Sequence, residues 1–223
     1  MVALTFDDGP DPEWTPPVLD ALARAGAQAT FFVVAEQMRA PGGAELVAET
    51  LRRGHAVQMH CARHLRHESL ALAGIRADAA RSEAALAAAG VPAPALWRPP
   101  YGSVSPARSC LVAAERGLQL VRWTLDPRDY RGTPPDEMLE LVGGGPLRED
   151  SVVLLHDSRR YSSTPGGGAA NTVALIGPLV GRIRAAGWEP VALRSPLRRP
   201  APPQDGFLLP CAAAPPASPA PAL

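Results

Sequence analysis

The chain has 223 residues, and its 22 lysines and arginines balance its 22 aspartates and glutamates, so the formal net charge is zero. A balanced charge gives no field that would attract nucleic acid or an anionic membrane. No apolar stretch approaches the roughly 18 uninterrupted residues of a membrane-spanning helix. The length suits one core better than two. We therefore expect a monomeric single-domain protein without a nucleic-acid partner or a membrane span.

The first residues and the cysteines bear on the compartment. As written, the chain enters an apolar strand at its second residue without a signal peptide, which favours a cytoplasmic protein. A secreted or cell-envelope location is the alternative if the start has been trimmed. Cys61, Cys110 and Cys211 are odd in number and widely spaced, which argues against a disulfide framework.

Short apolar runs of strand length alternate with helical segments along most of the chain. The predicted strands are Val2 to Phe6, Ala29 to Val34, His55 to Met59, Ala95 to Arg98, Leu118 to Trp123, Ser151 to Leu155 and Trp188 to Leu193. The predicted helices are Trp14 to Ala25, Ala44 to Arg53, Leu70 to Ala89 with Ser69 as its cap, Pro106 to Arg116, Pro134 to about Gly143, and Asn171 to Ala186. Seven strands that alternate with helices predict a parallel α/β architecture, either a barrel or an open sheet.

The end of the chain differs in composition from the rest. From Pro196 onward, nine of 28 residues are proline and seven are alanine. Such a composition cannot bury enough apolar surface to offset the entropy of ordering. We therefore predict one domain over residues 1–195 and a disordered tail over residues 196–223.

Polar side chains follow the ends of five of the seven predicted strands. They are Asp7, Asp8, His60, His64, Arg98, Asp126, Asp129 and His156. Because the carboxyl ends of parallel strands in a barrel meet on the face that carries active sites, we expect these side chains to form one site.

Asp7 and Asp8 are neighbouring like charges that stay ionised together only beside a cation. The pair His60 and His64 supplies two imidazoles that, with one carboxylate, would bind a metal ion and leave one coordination position open for water. His67 is an alternative ligand to His64. Taken separately, an acidic turn and a solvated histidine loop remain the alternative interpretations.

The other polar residues suggest acid–base chemistry. Arg98, unless it is an ordinary surface arginine, would hold Asp7 ionised and oriented. Asp126 and Asp129 are each candidates for a turn cap, and one of them would raise the pKa of His156 and prepare it as a general acid. A core histidine is the alternative interpretation of His156.

Five motifs in order now indicate a family. They are Thr5-Phe6-Asp7-Asp8-Gly9, His60-x-x-x-His64, Arg98-Pro99-Pro100-Tyr101, Asp126-x-x-Asp129-Tyr130 and Leu154-x-His156. In these motifs the chain resembles the polysaccharide deacetylases of carbohydrate esterase family four, the NodB-homology group. The resemblance covers about residues 1–195 and implies a distorted (β/α) barrel.

The resemblance also implies the role of each residue. Asp8, His60 and His64 would bind a divalent metal, typically zinc, with cobalt or another transition metal as alternatives. Asp7 would be the general base oriented by Arg98, and His156 the general acid tuned by Asp129. The backbone N–H of Tyr101 would help to hold the oxyanion, while Tyr130 and Leu154 would line the pocket for the acetyl methyl group. The substrate would be a carbohydrate that carries acetyl groups on nitrogen or oxygen.

Two positions depart from the family pattern. Cys61 follows the first histidine where Ser or Thr is usual, and Tyr130 ends the fourth motif where Trp is usual. A thiol is a weaker hydrogen-bond partner than a hydroxyl, so the order of this loop or its metal affinity would differ from the family's. Because neighbouring residues on an extended chain point apart, we expect Cys61 to be a small filler, with a thiolate metal ligand as the alternative. A related hydrolase of small cyclic amides or ureides and a catalytically silent carbohydrate-binding protein remain alternative functions.

Overall fold

One curved sheet of parallel strands runs through the chain. The computed structural model describes residues 1–103, 106–144, 147–162, 164 and 169–193. Within these residues the strands are β1 (Val2–Asp7), β2 (Thr30–Val34), β3 (Ala56–Cys61), β4 (Leu96–Trp97), β5 (Gln119–Leu120), β6 (Ser151–His156) and β7 (Pro190–Val191). Their order is β5-β4-β3-β2-β1-β6, and β7 also pairs with β1. The predicted seven-stranded parallel α/β fold is confirmed.

The two sides of the sheet meet beyond β5. Leu125 forms a parallel bridge with Val153 of β6. The N–H of Leu125 donates to the carbonyl of Val152 at 3.0 Å, and the N–H of Leu154 donates to the carbonyl of Leu125 at 2.9 Å. Because this bridge joins the β5 side of the sheet to β6, the sheet closes into a distorted barrel.

Seven α-helices surround the sheet in the described part of the chain. They are α1 (Thr15–Ala25), α2 (Ala35–Met38), α3 (Gly43–Arg52), α4 (Leu72–Ala88), α5 (Pro106–Glu115), α6 (Pro135–Gly143) and α7 (Ala169–Ala185). The sequence did not predict α2. Ser69 is not a helix cap, because it lies in a short 3₁₀ turn and its hydroxyl donates to the Arg66 carbonyl at 2.7 Å. The helix therefore begins at Leu72, two residues later than predicted.

The two faces of β1 have different surroundings, as the period of two in a strand requires. One face packs into the main apolar core and carries Val2, Leu4 and Phe6. The other face carries Ala3, Thr5 and Asp7. Ala3 lies in a second apolar cluster with Phe32 and Val152, whereas Thr5 and Asp7 both accept hydrogen bonds from Arg98. Along this face the surroundings change from apolar to polar toward the end of the strand, where the site lies.

The cysteines have two different states. Cys61 is a buried free thiol, whereas Cys110 is disulfide-bonded. The number and spacing of the cysteines argued against a disulfide framework and did not predict the bridge at Cys110. The predicted tail over residues 196–223 lies outside the described residues. No helix among the described residues is both long enough and apolar enough to cross a membrane.

Thr30 of β2 provides a test of how the end of the described chain is held. Its Oγ1 accepts the N–H of Leu193 at 2.7 Å and donates to the carbonyl of Leu193 at 3.3 Å. Thr30→Val keeps the shape but leaves a buried N–H unpaired, so we expect the free energy of unfolding in urea to fall by about 1–3 kcal/mol. Thr50→Val is the matched control, because the buried hydroxyl of Thr50 donates only to a carbonyl of its own helix, that of Leu46. Equal losses in the two variants would contradict a role of Thr30 in fixing this segment.

Candidate active site

Asp7 is the last residue of β1 and Asp8 follows it, and their carboxylates face different partners. Both residues are only 4% exposed. Asp7 Oδ1 lies 2.8 Å from Arg98 Nη1. Asp8 has a φ of 80°, in the left-handed region that residues other than glycine rarely adopt. Because the backbone turns sharply there, the Asp8 carboxylate lies beside His60 and His64 instead of beside Arg98.

Arg98 is completely buried. Besides Asp7, its guanidinium donates to Thr5 Oγ1 at 2.7 Å and to the carbonyl of Arg122 at 2.8 Å. Its Cζ lies 4.2 Å from the centre of the Phe32 ring. A charge-assisted hydrogen bond from a fixed guanidinium orients a carboxylate and favours its ionised form. Arg98 is therefore not a surface arginine, and its guanidinium is placed to orient the carboxylate of Asp7.

Asp8, His60 and His64 form a group of three converging ligand atoms. Asp8 Oδ1 lies 3.3 Å from His60 Nε2 and 3.1 Å from His64 Nε2. One potential ligand atom from each residue lies within 4.8 Å of the other two. The Nδ1–H of His60 donates to the carbonyl of Arg98 at 2.5 Å, which leaves its Nε2 for another partner.

The buried atoms of this group suit a cation. Asp8 Oδ1 and His60 Nε2 are buried and have no hydrogen-bond partner among the described residues, an arrangement that is costly unless another ligand satisfies them. Burial raises the pKa of Asp8, but the imidazoles of His60 and His64 outweigh it and hold that pKa below its usual range. One carboxylate and two imidazoles fit a zinc-like ion with an open coordination position.

His67 and Cys61 lie outside this group. The Nδ1 of His67 is 3.0 Å from the hydroxyl of Ser109, and its ring lies 4.9 Å from that of Trp97. Burial, with His60 nearby, lowers the pKa of His67 to about 4. Burial first, and then the negative charges of Asp78 and Asp8, raise the pKa of the Cys61 thiol. Neither side chain contributes to the converging group.

Asp129 holds His156 at the end of β6. Its Oδ1 accepts the Nδ1–H of His156 at 2.7 Å, and its Oδ2 accepts the backbone N–H of His156 at 2.7 Å. The hydroxyl of Thr172 also donates to Oδ2, at 2.8 Å. Asp126 instead accepts the backbone N–H of Arg128 at 2.8 Å. Of the two candidates, Asp129 is therefore the partner of His156 and Asp126 is the turn residue.

The surroundings of His156 favour its charged form. Burial lowers the pKa of this imidazole, but the negative charge and hydrogen bond of Asp129, together with Asp8 and Asp7, raise it to about 10. The aromatic ring of Tyr130 meets the imidazole edge-on at 5.5 Å. His156 is therefore an imidazolium at neutral pH, and its Nδ1 is occupied by Asp129.

These groups line one cavity of about 350 Å³. Of the sequence-predicted residues, it is lined by Asp7, Asp8, His60, His64, Tyr101, Asp126, Tyr130, Leu154 and His156. Arg98 and Asp129 lie behind this wall and act on it through Asp7 and His156. Tyr101 has a φ of 58° and its side chain is 48% exposed, whereas Leu154 is 3% exposed. The structure thus brings together every residue that the sequence assigned to a site.

A family model for polysaccharide deacetylase matches residues 1–121. The chain belongs to the polysaccharide deacetylase family. A peptidoglycan-N-acetylglucosamine deacetylase of Bacillus cereus is 32% identical over 200 residues, which are 89% of this chain and 88% of the relative. These findings confirm the family that the five motifs predicted.

Solved structures of the same family share the fold. A family 4 carbohydrate esterase from Streptomyces lividans, in complex with acetate, has a TM-score of 0.75 and 31% identity over 85% of this chain and 90% of that chain. A family 4 acetyl xylan esterase from Clostridium thermocellum, in complex with a cobalt ion, has a TM-score of 0.73 and 27% identity over 86% of this chain and 87% of that chain.

Two buried carboxylates that the sequence analysis did not single out hold the loops of the site. Asp78 of α4 accepts the backbone N–H groups of Ala62 and Arg63 at 2.9 and 3.1 Å. Asp157 accepts the N–H of Gly9 at 3.1 Å and the hydroxyl of Thr15 at 2.6 Å. The signal for Asp78 was its spacing, because it shares a helix face with the buried residues Ile75, Ala79 and Ser82.

Aromatic residues from two loops complete the cavity wall. Trp123 and Tyr161 line it, and the Tyr161 ring stacks on that of His64 with centroids 4.2 Å apart. Trp123 follows β5 and Tyr161 follows β6. Their positions after strand ends were the available sequence signal that they lie near the site. Nothing in the local sequence indicates a partner for Tyr161.

The contacts of Asp78 predict a local effect on the loop between His60 and His64. Asp78→Ala removes the acceptor of two consecutive amides, so we expect hydrogen exchange at Ala62 and Arg63 to accelerate more than exchange in the strands. Ser82→Ala is the control, because the buried Ser82 hydroxyl donates to the Asp78 carbonyl within the same helix at 2.9 Å. A similar acceleration in both variants, spread over α4, would show that Asp78 stabilises the helix and not the loop.

Proposed function

We propose that the protein is a metal-dependent hydrolase that removes acetyl groups from N-acetylated carbohydrate, with O-acetylated carbohydrate as a second substrate class. The observation that carries the proposal is the convergence of three arrangements in one cavity. They are the group Asp8-His60-His64, the pair Asp7 and Arg98, and the pair Asp129 and His156. The similarity to a peptidoglycan-N-acetylglucosamine deacetylase supports an acetylated amino sugar as the substrate.

Asp8, His60 and His64 would hold one divalent cation. Zinc is the first expectation from one carboxylate and two imidazoles, and the cobalt complex of the related acetyl xylan esterase supports a transition metal. When bound, such an ion polarises the acetyl carbonyl and lowers the pKa of the attacking water. The backbone N–H of Tyr101 would share the negative charge that develops on the carbonyl oxygen.

Asp7 acts as the general base. Its Oδ1 is occupied by Arg98, so the other carboxylate oxygen takes the proton of the attacking water. The salt bridge with Arg98 fixes the direction of the Asp7 carboxylate beside Asp8. Removing Asp7 would therefore remove the proton acceptor and leave the three metal ligands in place.

His156 acts as the general acid. Because Asp129 accepts the Nδ1–H, the proton that moves is the one on Nε2. It passes to the amide nitrogen as the carbon–nitrogen bond breaks, which releases acetate and leaves a free amine on the sugar. Leu154 and the ring of Tyr130, which also line the cavity, would enclose the acetyl methyl group.

Acetate release tests the function directly. We expect acetate release from peptidoglycan or N-acetylated chitin oligomers by protein supplied with zinc. Treatment with a chelator should abolish the release, because the ion activates the acetyl carbonyl and the attacking water. Acetylated xylan and small cyclic amides complete the substrate panel. Asp8→Ala with added zinc is the control, because it shows whether zinc bound at another position supports acetate release. Turnover of cyclic amides alone, or full activity of Asp8→Ala, would overturn the proposal.

The loss in kcat expected on removing the acid depends on the leaving group, whereas the loss expected on removing the base does not. Asp7→Asn should retain bound metal and lose on the order of 10²–10⁴-fold in kcat on both amides and esters. His156→Ala should lose a similar factor on amides but much less on activated esters, since a good leaving group needs little protonation. The ratio of kcat on the two substrate types measures this. Equal losses of His156→Ala on amides and activated esters would contradict its role as the acid.

The pH profile tests the link between Asp129 and His156. A general acid works only while protonated, so kcat should fall as pH rises through the pKa of His156, which Asp129 helps to raise to about 10. A cation at Asp8 offsets the contributions of Asp8 and Asp7 but not that of Asp129. We therefore expect Asp129→Asn to move the alkaline fall in kcat to lower pH. Asp126→Asn changes a carboxylate that lines the cavity but does not bond to His156, so it should leave the fall where it is. An unshifted profile in Asp129→Asn would contradict the assignment.

A further inference from the structure

The two histidines of the Asp8-His60-His64 group are held in different ways. The Nδ1–H of His60 donates to the carbonyl of Arg98, the kind of outer hydrogen bond that metal-binding histidines almost always make. The Nδ1 of His64 is also buried, but it has no hydrogen-bond partner among the described residues. No hydrogen bond from a described residue to Nδ1 therefore sets the direction of the His64 ring.

Aromatic rings contact His64 instead. The Tyr161 ring is nearly parallel to the imidazole, with an interplanar angle of 13° and centroids 4.2 Å apart. The Tyr101 ring meets it edge-on, at 65° and 4.4 Å. A flat stack and an edge contact restrict the tilt of an imidazole in two directions.

Tyr161 is itself fixed from another part of the barrel. Its hydroxyl accepts a hydrogen bond from Nε2 of Gln37 at 3.4 Å. Gln37 lies on α2, directly after β2, and is 7% exposed. Burial raises the pKa of the Tyr161 hydroxyl, so the phenol stays neutral. Tyr161 thus connects α2 with the ring of His64.

We infer that Tyr161 is a positioning residue for the metal site. Its stacked ring takes the place of the outer hydrogen bond that no described residue makes to Nδ1 of His64. The inference rests on the proposed metal site and deepens it. The face of the ring orients the imidazole so that Nε2 points toward Asp8. The hydroxyl serves only to hold Tyr161.

Metal affinity measured by competition with a chelator tests the inference without an activity assay. Tyr161→Ala should weaken zinc binding on the order of tenfold, as removal of outer partners of histidine ligands commonly does, and should alter the visible absorption of the cobalt-substituted protein. Tyr161→Phe, which keeps the ring, should bind zinc like the parent. Because Tyr161 is only partly buried and lies on a loop, the metal-free Tyr161→Ala protein should unfold at nearly the parent temperature.

Tyr130→Ala is the matched control. Tyr130 is another aromatic residue of the same cavity wall, but its ring contacts His156 and not the group of three, so zinc affinity should stay at the parent value. Unchanged affinity in Tyr161→Ala, an equal loss in Tyr130→Ala, or a loss in Tyr161→Phe as large as in Tyr161→Ala would each overturn the inference.

Asp8→Ala separates this inference from the proposed function. If Asp8→Ala loses the metal and Tyr161→Ala does not, only the role of Tyr161 is wrong. If the parent binds no metal, or Asp8→Ala binds it as tightly as the parent, the proposed metal site fails and the inference fails with it.

Discussion

Two carboxylates that follow one another at the end of a buried strand cannot both stay charged unless each has its own cationic partner. Asp7 and Asp8 meet this requirement because the left-handed backbone of Asp8 turns its side chain away from that of Asp7. Asp7 takes the guanidinium of Arg98. Asp8 faces the imidazoles of His60 and His64. Their Nε2 atoms and Oδ1 of Asp8 together suit a metal ion. In the proposed mechanism, this separation gives the two neighbouring residues different tasks, Asp7 as proton acceptor and Asp8 as metal ligand.

The pairing of the strands brings these partners to one edge of the sheet. In the parallel register of β1 and β6, Asp7 lies opposite His156. Met59 of β3 lies opposite Trp97 of β4, so the next residues, His60 and Arg98, also come together. Arg98 then serves both sides of the site. Its guanidinium orients Asp7, and its backbone carbonyl accepts the Nδ1–H of His60.

Much of this arrangement could be predicted from the sequence because it depends on local patterns. Apolar runs predicted the strands, and polar residues at their ends predicted the site. Residue patterns alone did not decide between Asp126 and Asp129 or between His64 and His67, because each choice depends on which side chain faces a residue distant in the chain. The family resemblance implied Asp129 and His64. Asp129 meets His156, 27 residues away, and His67 meets Ser109, 42 residues away.

Other features had no sequence signal strong enough to use. Tyr161 stacks on His64 and is bonded by Gln37, which lies 124 residues away in the chain. The neighbours of Tyr161 and Gln37 in the chain do not indicate either contact. Ser69 had the composition of a helix cap, yet a local turn uses its hydroxyl. The short strands β4 and β5 are fixed by pairing with β3 and with each other, so propensity alone placed their ends too far out.

Anomalous diffraction at the zinc absorption edge, from crystals grown with zinc, is the most direct test of whether a metal ion balances the negative charge of Asp8. We expect one strong peak at roughly 2.0–2.2 Å from an Asp8 carboxylate oxygen and from Nε2 of His60 and of His64. We expect no contact between this peak and Cys61 or His67. A peak bound to Cys61 or His67, or zinc elsewhere in the crystal with none at Asp8, would contradict the assignment of Asp8 as the ligand and of Asp7 as the base.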